Sequence, residues 1–212
     1  MSRCVILSAC PVSAELKRLL RPDDYIIACD AGYENCRRLG CRADVVVGDF
    51  DSAPRPEEAA GEGLIVLPHV KDDTDTEYAA KLAVRQGCTE ALLLGALGGR
   101  RLDHTLANLC TGLGLERQGV RAVLQDERTR ISFVLPGQSR TYPKGEYFYL
   151  SVFPMEGRAE GVRIRGAFYE LEDAVLSSEY PLGVSNEYAP GSSCIEISSR
   201  AGALAVLEIC AD

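Results

Sequence analysis

Val45-Val46-Val47-Gly48-Asp49-Phe50-Asp51-Ser52 reads as a hydrophobic strand that ends in two carboxylates one residue apart. Alternate side chains of an extended chain leave the same face, so Asp49 and Asp51 point together from the strand's carboxyl end. Two bare carboxylates there would repel. A hard divalent cation resolves the conflict, because Mg²⁺ takes oxygen ligands and bridges one or two carboxylates to substrate phosphates. The alternative is an acidic turn in which aspartates cap backbone groups.

Working outward from that strand, short apolar runs alternate with helical stretches from residue 3 to about 126: Cys4 to Ser8, Tyr25 to Cys29, Asp44 to Val47, Leu64 to Leu67, Ala91 to Leu94 and Ala122 to Leu124. These runs of Val, Ile and Leu lack polar alternation, as strands buried on both faces of a parallel sheet do. Thr74-Asp75-Thr76-Glu77 is a capping box that opens a helix ended by Gly87, and a second helix runs from about Asp103. Beyond Gln125 the period becomes two, in Ile131 to Leu135, Glu146 to Phe153, Val162 to Ile164, Cys194 to Ser198 and Leu204 to Ile209. The expected fold is therefore α/β plus all-β. A three-layer α/β domain with a mostly parallel sheet spans residues 1–126, and an antiparallel β-sandwich or small barrel spans 127–212.

The chain has 212 residues, 46% of them hydrophobic, enough for two modest cores. A net charge of −8 argues against a nucleic-acid-binding surface, which needs clustered Lys and Arg. Nine cysteines, an odd number with no C-x-x-C pair, point to reduced thiols. The apolar stretch near Met1 is too short for a signal segment, and no run reaches membrane-spanning length. A cytoplasmic protein without membrane or nucleic-acid partners is expected.

Ligands of open parallel sheets bind beyond the carboxyl ends of the strands. Those ends carry Asp30, then Asp49 and Asp51, then Lys71-Asp72-Asp73-Thr74-Asp75, then Gly98-Gly99-Arg100-Arg101-Leu102-Asp103-His104. Three carboxylates and a lysine precede a helix N-terminus, whose free N–H groups attract anions. Glycines allow close backbone approach to a phosphate, and arginine binds its oxygens bidentately. His104 suits a general base or a structural hydrogen-bonding role. Two histidines and no paired cysteines argue against zinc, and no G-x-S-x-G elbow signals a serine nucleophile.

Taken in order, Asp30-Ala31-Gly32, Gly48-Asp49-Phe50-Asp51-Ser52, Lys71 to Glu77, Gly98 to His104 with Asn108, and Ser185-Asn186-Glu187 resemble the thiamine pyrophosphokinase family. The resemblance spans nearly the whole chain. It implies transfer of the pyrophosphoryl group of ATP to the hydroxyl of thiamine, giving thiamine diphosphate and AMP, by a homodimer with thiamine between subunits. It implies Mg²⁺ on Asp49, Asp51 and Asp75, with Asp72 and Asp103 completing the acidic rim. Asp30, Lys71, Thr74, Arg100, Arg101 and His104 would then face the nucleotide. Tyr169, Ser185 and Asn186 would meet thiamine, Tyr169 standing where animal members carry a tryptophan. The glycine turn holds one more residue than the usual G-G-R-x-D-H, so either Arg100 or Arg101 is the phosphate arginine; Arg101 keeps the spacing to Asp103. The competing readings are another Mg²⁺-dependent nucleotide-using kinase or phosphohydrolase acting on a small alcohol, and a non-catalytic nucleotide sensor.

Overall fold

A computed structural model of the chain describes residues 3–48, 63–66 and 73–211. Asp49, Asp51, Lys71 and Asp72 lie outside these described residues. The chain divides into two compact units, Met1–Glu127 and Arg128–Asp212.

In the first unit, β1 (Arg3–Leu7), β2 (Tyr25–Cys29), β3 (Val45–Gly48), β4 (Gly63–Val66), β5 (Glu90–Leu94) and β6 (Arg121–Gln125) lie in the order β4-β3-β2-β1-β5-β6. Every neighbouring pair is parallel. One face, with Val5, Leu7, Ile26, Ala28, Val46, Leu92 and Leu94, packs against Leu16 of a 3-10 turn (Ala14–Leu19) and Cys36 and Leu39 of α1 (Tyr33–Leu39). Ile6, Ile27, Val47 and Leu93, which alternate with that set, are also buried, on the side where α2 (Asp75–Arg85) and α3 (Leu102–Arg117) pack. Burial on both faces explains why these strands read as unbroken apolar runs.

The order also fixes where a ligand can enter. The chain winds from β1 through β4 in one direction, then returns to place β5 on the other side of β1. The loops after β1 and β5 therefore diverge, and such a switch point opens a crevice at the carboxyl ends of the strands.

The second unit contains β7 (Thr129–Val134), β8 (Ser139–Pro143), β9 (Tyr149–Pro154), β10 (Arg158–Arg165), β11 (Leu171–Ser177), β12 (Cys194–Ser198) and β13 (Leu204–Ile209). They form two antiparallel layers, β7-β13-β9 and β11-β10-β12-β8. Val134, Leu150, Val152, Leu204 and Val206 of one layer share a core with Tyr142, Val162, Ile164, Leu176, Ile195 and Ile197 of the other. That is a β-sandwich. With the parallel sheet, it gives the α/β plus all-β class expected from the sequence.

Four elements differ from the sequence reading. α1 has only seven residues, too few for a visible helical period, and β8 and β11 have polar sequences that hide their strand character. β10 runs over eight residues rather than the three of its apolar core, with register shifts near Val162.

Candidate active site

A cavity of about 630 Å³ opens at the β1/β5 switch point. Its wall comes from the loop after β1 (Ser8 to Pro11), Asp30 after β2, the start of α2 (Thr74 to Thr76), the glycine turn after β5, and Arg100, Arg101, His104 and Asn108.

Local hydrogen bonds set each wall. The first loop leaves β1 through Ser8 N–H, which donates to Leu94 O at 2.8 Å, and Cys10 N–H, which donates to Gly95 O at 3.0 Å. Asn35 of α1 clamps the same loop: its Nδ2 donates to Ser8 O and Cys10 O at 2.8 and 2.9 Å, and its Oδ1 accepts from Val12 N–H at 3.2 Å. Ser8 Oγ lies 2.9 Å from Thr76 Oγ1, which joins the loop to α2. Gly32 lets α1 approach β1, since a Cβ there would sit 2.0 Å from Leu7 O. Asp30 adopts φ 47, a left-handed conformation that aspartate tolerates better than most residues and that occurs often at functional sites.

Thr74 is the N-cap of α2, its hydroxyl accepting from Glu77 N–H at 3.1 Å. The Glu77 carboxylate accepts from Thr111 Oγ1 of α3 at 2.7 Å. Asp73 pairs with Lys81 at 2.6 Å, so of the acidic run Asp75 is the carboxylate shown on the cavity wall. The glycine turn bends through Gly98 and Gly99 at φ 73 and 78. Its carbonyls are held by Asn108 Nδ2 on Ala96 O at 2.8 Å, and by Thr105 Oγ1 and Cys10 Sγ on Gly98 O. Burial pushes the Cys10 thiol up, keeping it neutral beside the pocket.

The two arginines differ. Arg101, at the N-cap of α3, holds the Asp103 carboxylate in a fork, and the guanidinium pulls that acid down to about 2. Arg100 lines the cavity and has no ion-pair partner among the described residues. Asp103 is not on the cavity wall, and its oxygens belong to Arg101. His104 is on the wall, exposed, in the first turn of α3.

In the sandwich, a second cavity of about 400 Å³ is lined by Ile164, Tyr169, Leu171, Leu182, Val184 and Asn186, among others. Asn186 is buried and acts as a brace. Its Oδ1 accepts from Tyr169 N–H at 3.0 Å, and its Nδ2 donates to Tyr169 O at 2.7 Å. Tyr169 is thereby presented, 66% exposed and edge-on to Phe168. Ser185, at φ 57, donates its N–H to Ser151 Oγ and is not on this wall. Sequence reading missed Asn35, Ser8 and the apolar Leu182 and Val184. Ser8 could have been found, since it follows a strand end; a clamp such as Asn35 has no local signature.

The parallel sheet has a strand-end crevice and the antiparallel sandwich has a pocket of its own, so the chain is a two-domain protein with a cavity in each domain. The family model "Thiamin pyrophosphokinase, catalytic domain" matches residues 16–124, and "Thiamin pyrophosphokinase, vitamin B1 binding domain" matches residues 140–204. The chain belongs to the thiamin pyrophosphokinase family, whose members are thiamine diphosphokinases. The solved thiamine pyrophosphokinase of Bacillus subtilis is 22% identical, covers all of both chains and superposes with a TM-score of 0.87. That of Geobacillus thermodenitrificans is 25% identical over 100% of this chain and 98% of its own, with a TM-score of 0.85. A family protein from Enterococcus faecalis is 28% identical over 100% and 99%, with a TM-score of 0.78. None of the curated proteins matches the chain.

The catalytic domain is that of a kinase that uses a divalent metal, and the B1-binding domain makes thiamine the substrate. Among the described residues no group of three potential ligands stands together. The carboxylates of Asp30 and Asp75 on the cavity wall are hard oxygen donors, the type such an ion takes. No helix among the described residues is long and apolar enough to cross a membrane.

Proposed function

We propose that the chain transfers the pyrophosphoryl group of ATP to the hydroxyl of thiamine, with the triphosphate lying in the β1/β5 crevice. The observation that carries this reading is the cavity whose wall combines the carboxylates of Asp30 and Asp75, the guanidiniums of Arg100 and Arg101, and the first turn of α2. By the resemblance, Asp49, Asp51 and Asp75 would hold Mg²⁺, and Asp75 lies on the cavity wall. When bound, the ion neutralises phosphate charge and polarises the transferred group.

The chain's own groups do the positioning. Arg100, with no ion-pair partner among the described residues, takes phosphate oxygens, aided by Lys71, while Thr74 and His104 border the nucleotide. The free N–H groups at the start of α2 favour the same anion. A carboxylate held near 2 is a poor proton acceptor, so Asp103 is not the group that takes the thiamine hydroxyl proton. In the sandwich, Tyr169 offers its ring to thiamine and Asn186 fixes it by two backbone hydrogen bonds. The exposed Phe168, Tyr169 and Leu182 suit contact with a second copy, giving a homodimer. Nine free cysteines suit a reducing cytoplasm.

Purified protein with ATP, Mg²⁺ and thiamine is expected to release AMP as thiamine diphosphate forms. ADP would instead assign an ordinary kinase, and unchanged ATP would favour the sensor.

A further inference from the structure

The C-terminus of α1 places two cysteines side by side. Gly40 ends the helix at φ 62, Gly40 N–H donates to Arg37 O at 3.2 Å, and Cys41 N–H donates to Cys36 O at 3.0 Å. This paired pattern is a Schellman cap, in which the side chains at the Cys36 and Cys41 positions meet. Both lie in one apolar cluster, Cys36 buried and Cys41 at its edge, part exposed. Contact with the Cys36 side chain is the first cause that lowers the Cys41 thiol from its ordinary value. Lys17, in the preceding 3-10 turn, brings its Nζ within 3.2 Å of where a Cβ on Gly40 would be.

We propose that Cys36 and Cys41 form a thiol–disulfide exchange site that low-molecular-weight disulfides convert to an intramolecular disulfide. The asymmetry of the pair assigns the roles. Cys41 is the accessible sulfur, and contact with Cys36, its backbone hydrogen bond and the Lys17 ammonium outweigh the opposing effect of burial and lower its thiol toward the nucleophilic thiolate. Cys36, 3% exposed, cannot meet an external disulfide and acts as the resolving thiol. Cys41 loses its proton to solvent and attacks one sulfur of the reagent; that S–S bond breaks, a thiolate leaves, and a mixed disulfide forms. Cys36 then gives up its proton, attacks Cys41 Sγ and expels the second thiolate. Both departing thiolates take up protons, so two protein thiols are oxidised and one disulfide is reduced to two thiols.

Cys4 and Cys88 supply the contrast. Both are buried, and contact with Cys88 together with burial pushes the Cys4 thiol far up, so Cys4 stays protonated and out of reach of an external disulfide.

The test uses the full chain treated with oxidised glutathione, alkylated and mapped by mass spectrometry. Cys36 and Cys41 should lose their alkylation sites together and appear cross-linked, with both sites recovered after dithiothreitol. In Cys36→Ser, Cys41 should instead keep a glutathione adduct. Exposed Cys110 serves as an internal control for reagent activity. If Cys110 is modified in the wild type while Cys36 and Cys41 remain alkylatable, or if Cys41 stops at the mixed disulfide, the proposal is wrong. The wild-type result decides even where the variant folds poorly.

Discussion

Arg101 grips Asp103 with both arms of its guanidinium: Nε lies 2.9 Å from one carboxylate oxygen and Nη2 2.6 Å from the other. The pair sits at the N-cap and first turn of α3, whose Arg101 lines the crevice at the strand ends. It separates two adjacent arginines that the sequence could not tell apart.

The Asp103 carboxyl is held at about 2, first by its hydrogen bonds to Arg101. A depressed native pKa means that the interaction is fully present above the ordinary carboxylate value, about 3.9, and is lost as pH falls through about 2. Carbon-detected NMR titration should place the Asp103 midpoint near 2, and Arg101→Ala should move it up toward the ordinary value. An unchanged midpoint in the variant would refute the assignment.

Arg100 and Arg101 should respond differently to removal. Arg100→Ala should lower kcat/KM for ATP by about 10- to 100-fold, the equivalent of a charge-assisted hydrogen bond of about 1.5–3 kcal/mol. Arg101→Ala should cost less, because its donors already belong to Asp103. Steady-state kinetics with ATP varied at saturating thiamine reads this, and the reverse order would transfer the phosphate role to Arg101.

Asn35 holds three backbone groups of the loop after β1. Its truncation to alanine leaves buried carbonyls at Ser8 and Cys10 without that amide and should destabilise the fold by about 2–4 kcal/mol. Denaturant unfolding checks the loss. The same variant should raise KM for ATP, because the loop it frees forms a wall of the cavity.

Two glycines should give opposite signs on replacement by alanine. At Gly32 a Cβ would lie 2.0 Å from Leu7 O, a backbone atom that cannot move away cheaply, so a loss above about 3 kcal/mol is expected. At Gly114, inside α3, nothing lies within 4 Å of the added Cβ. There alanine should stabilise by about 0.5–1 kcal/mol through helix propensity. Thermal melts of the two variants, side by side, check both.

The sequence made the parallel sheet legible because burial on both faces forbids polar interruption, as in Cys4 to Leu7 and Val45 to Val47. α1 was not legible: within its seven residues the polar Glu34, Asn35, Arg37 and Arg38, of which Asn35 is buried, outnumber the buried apolar Cys36 and Leu39. Spacing along the glycine turn left both Arg100 and Arg101 open as the phosphate arginine, whereas the local fold pairs Arg101 with Asp103, a competition between near neighbours that no spacing rule contains. Asn186 was legible as a polar loop residue that the resemblance assigns to thiamine, yet its two-sided hold on Tyr169 depends on a strand return that brings residues 17 apart into register.

The central claim is that an intact pyrophosphoryl group moves from ATP to thiamine, and ATP labelled at its β-phosphorus tests it most directly. In a single turnover with Mg²⁺ and thiamine, the label should leave the nucleotide and appear in thiamine diphosphate, with unlabelled AMP as the other product. Label retained in ADP, with thiamine monophosphate formed, would contradict the account.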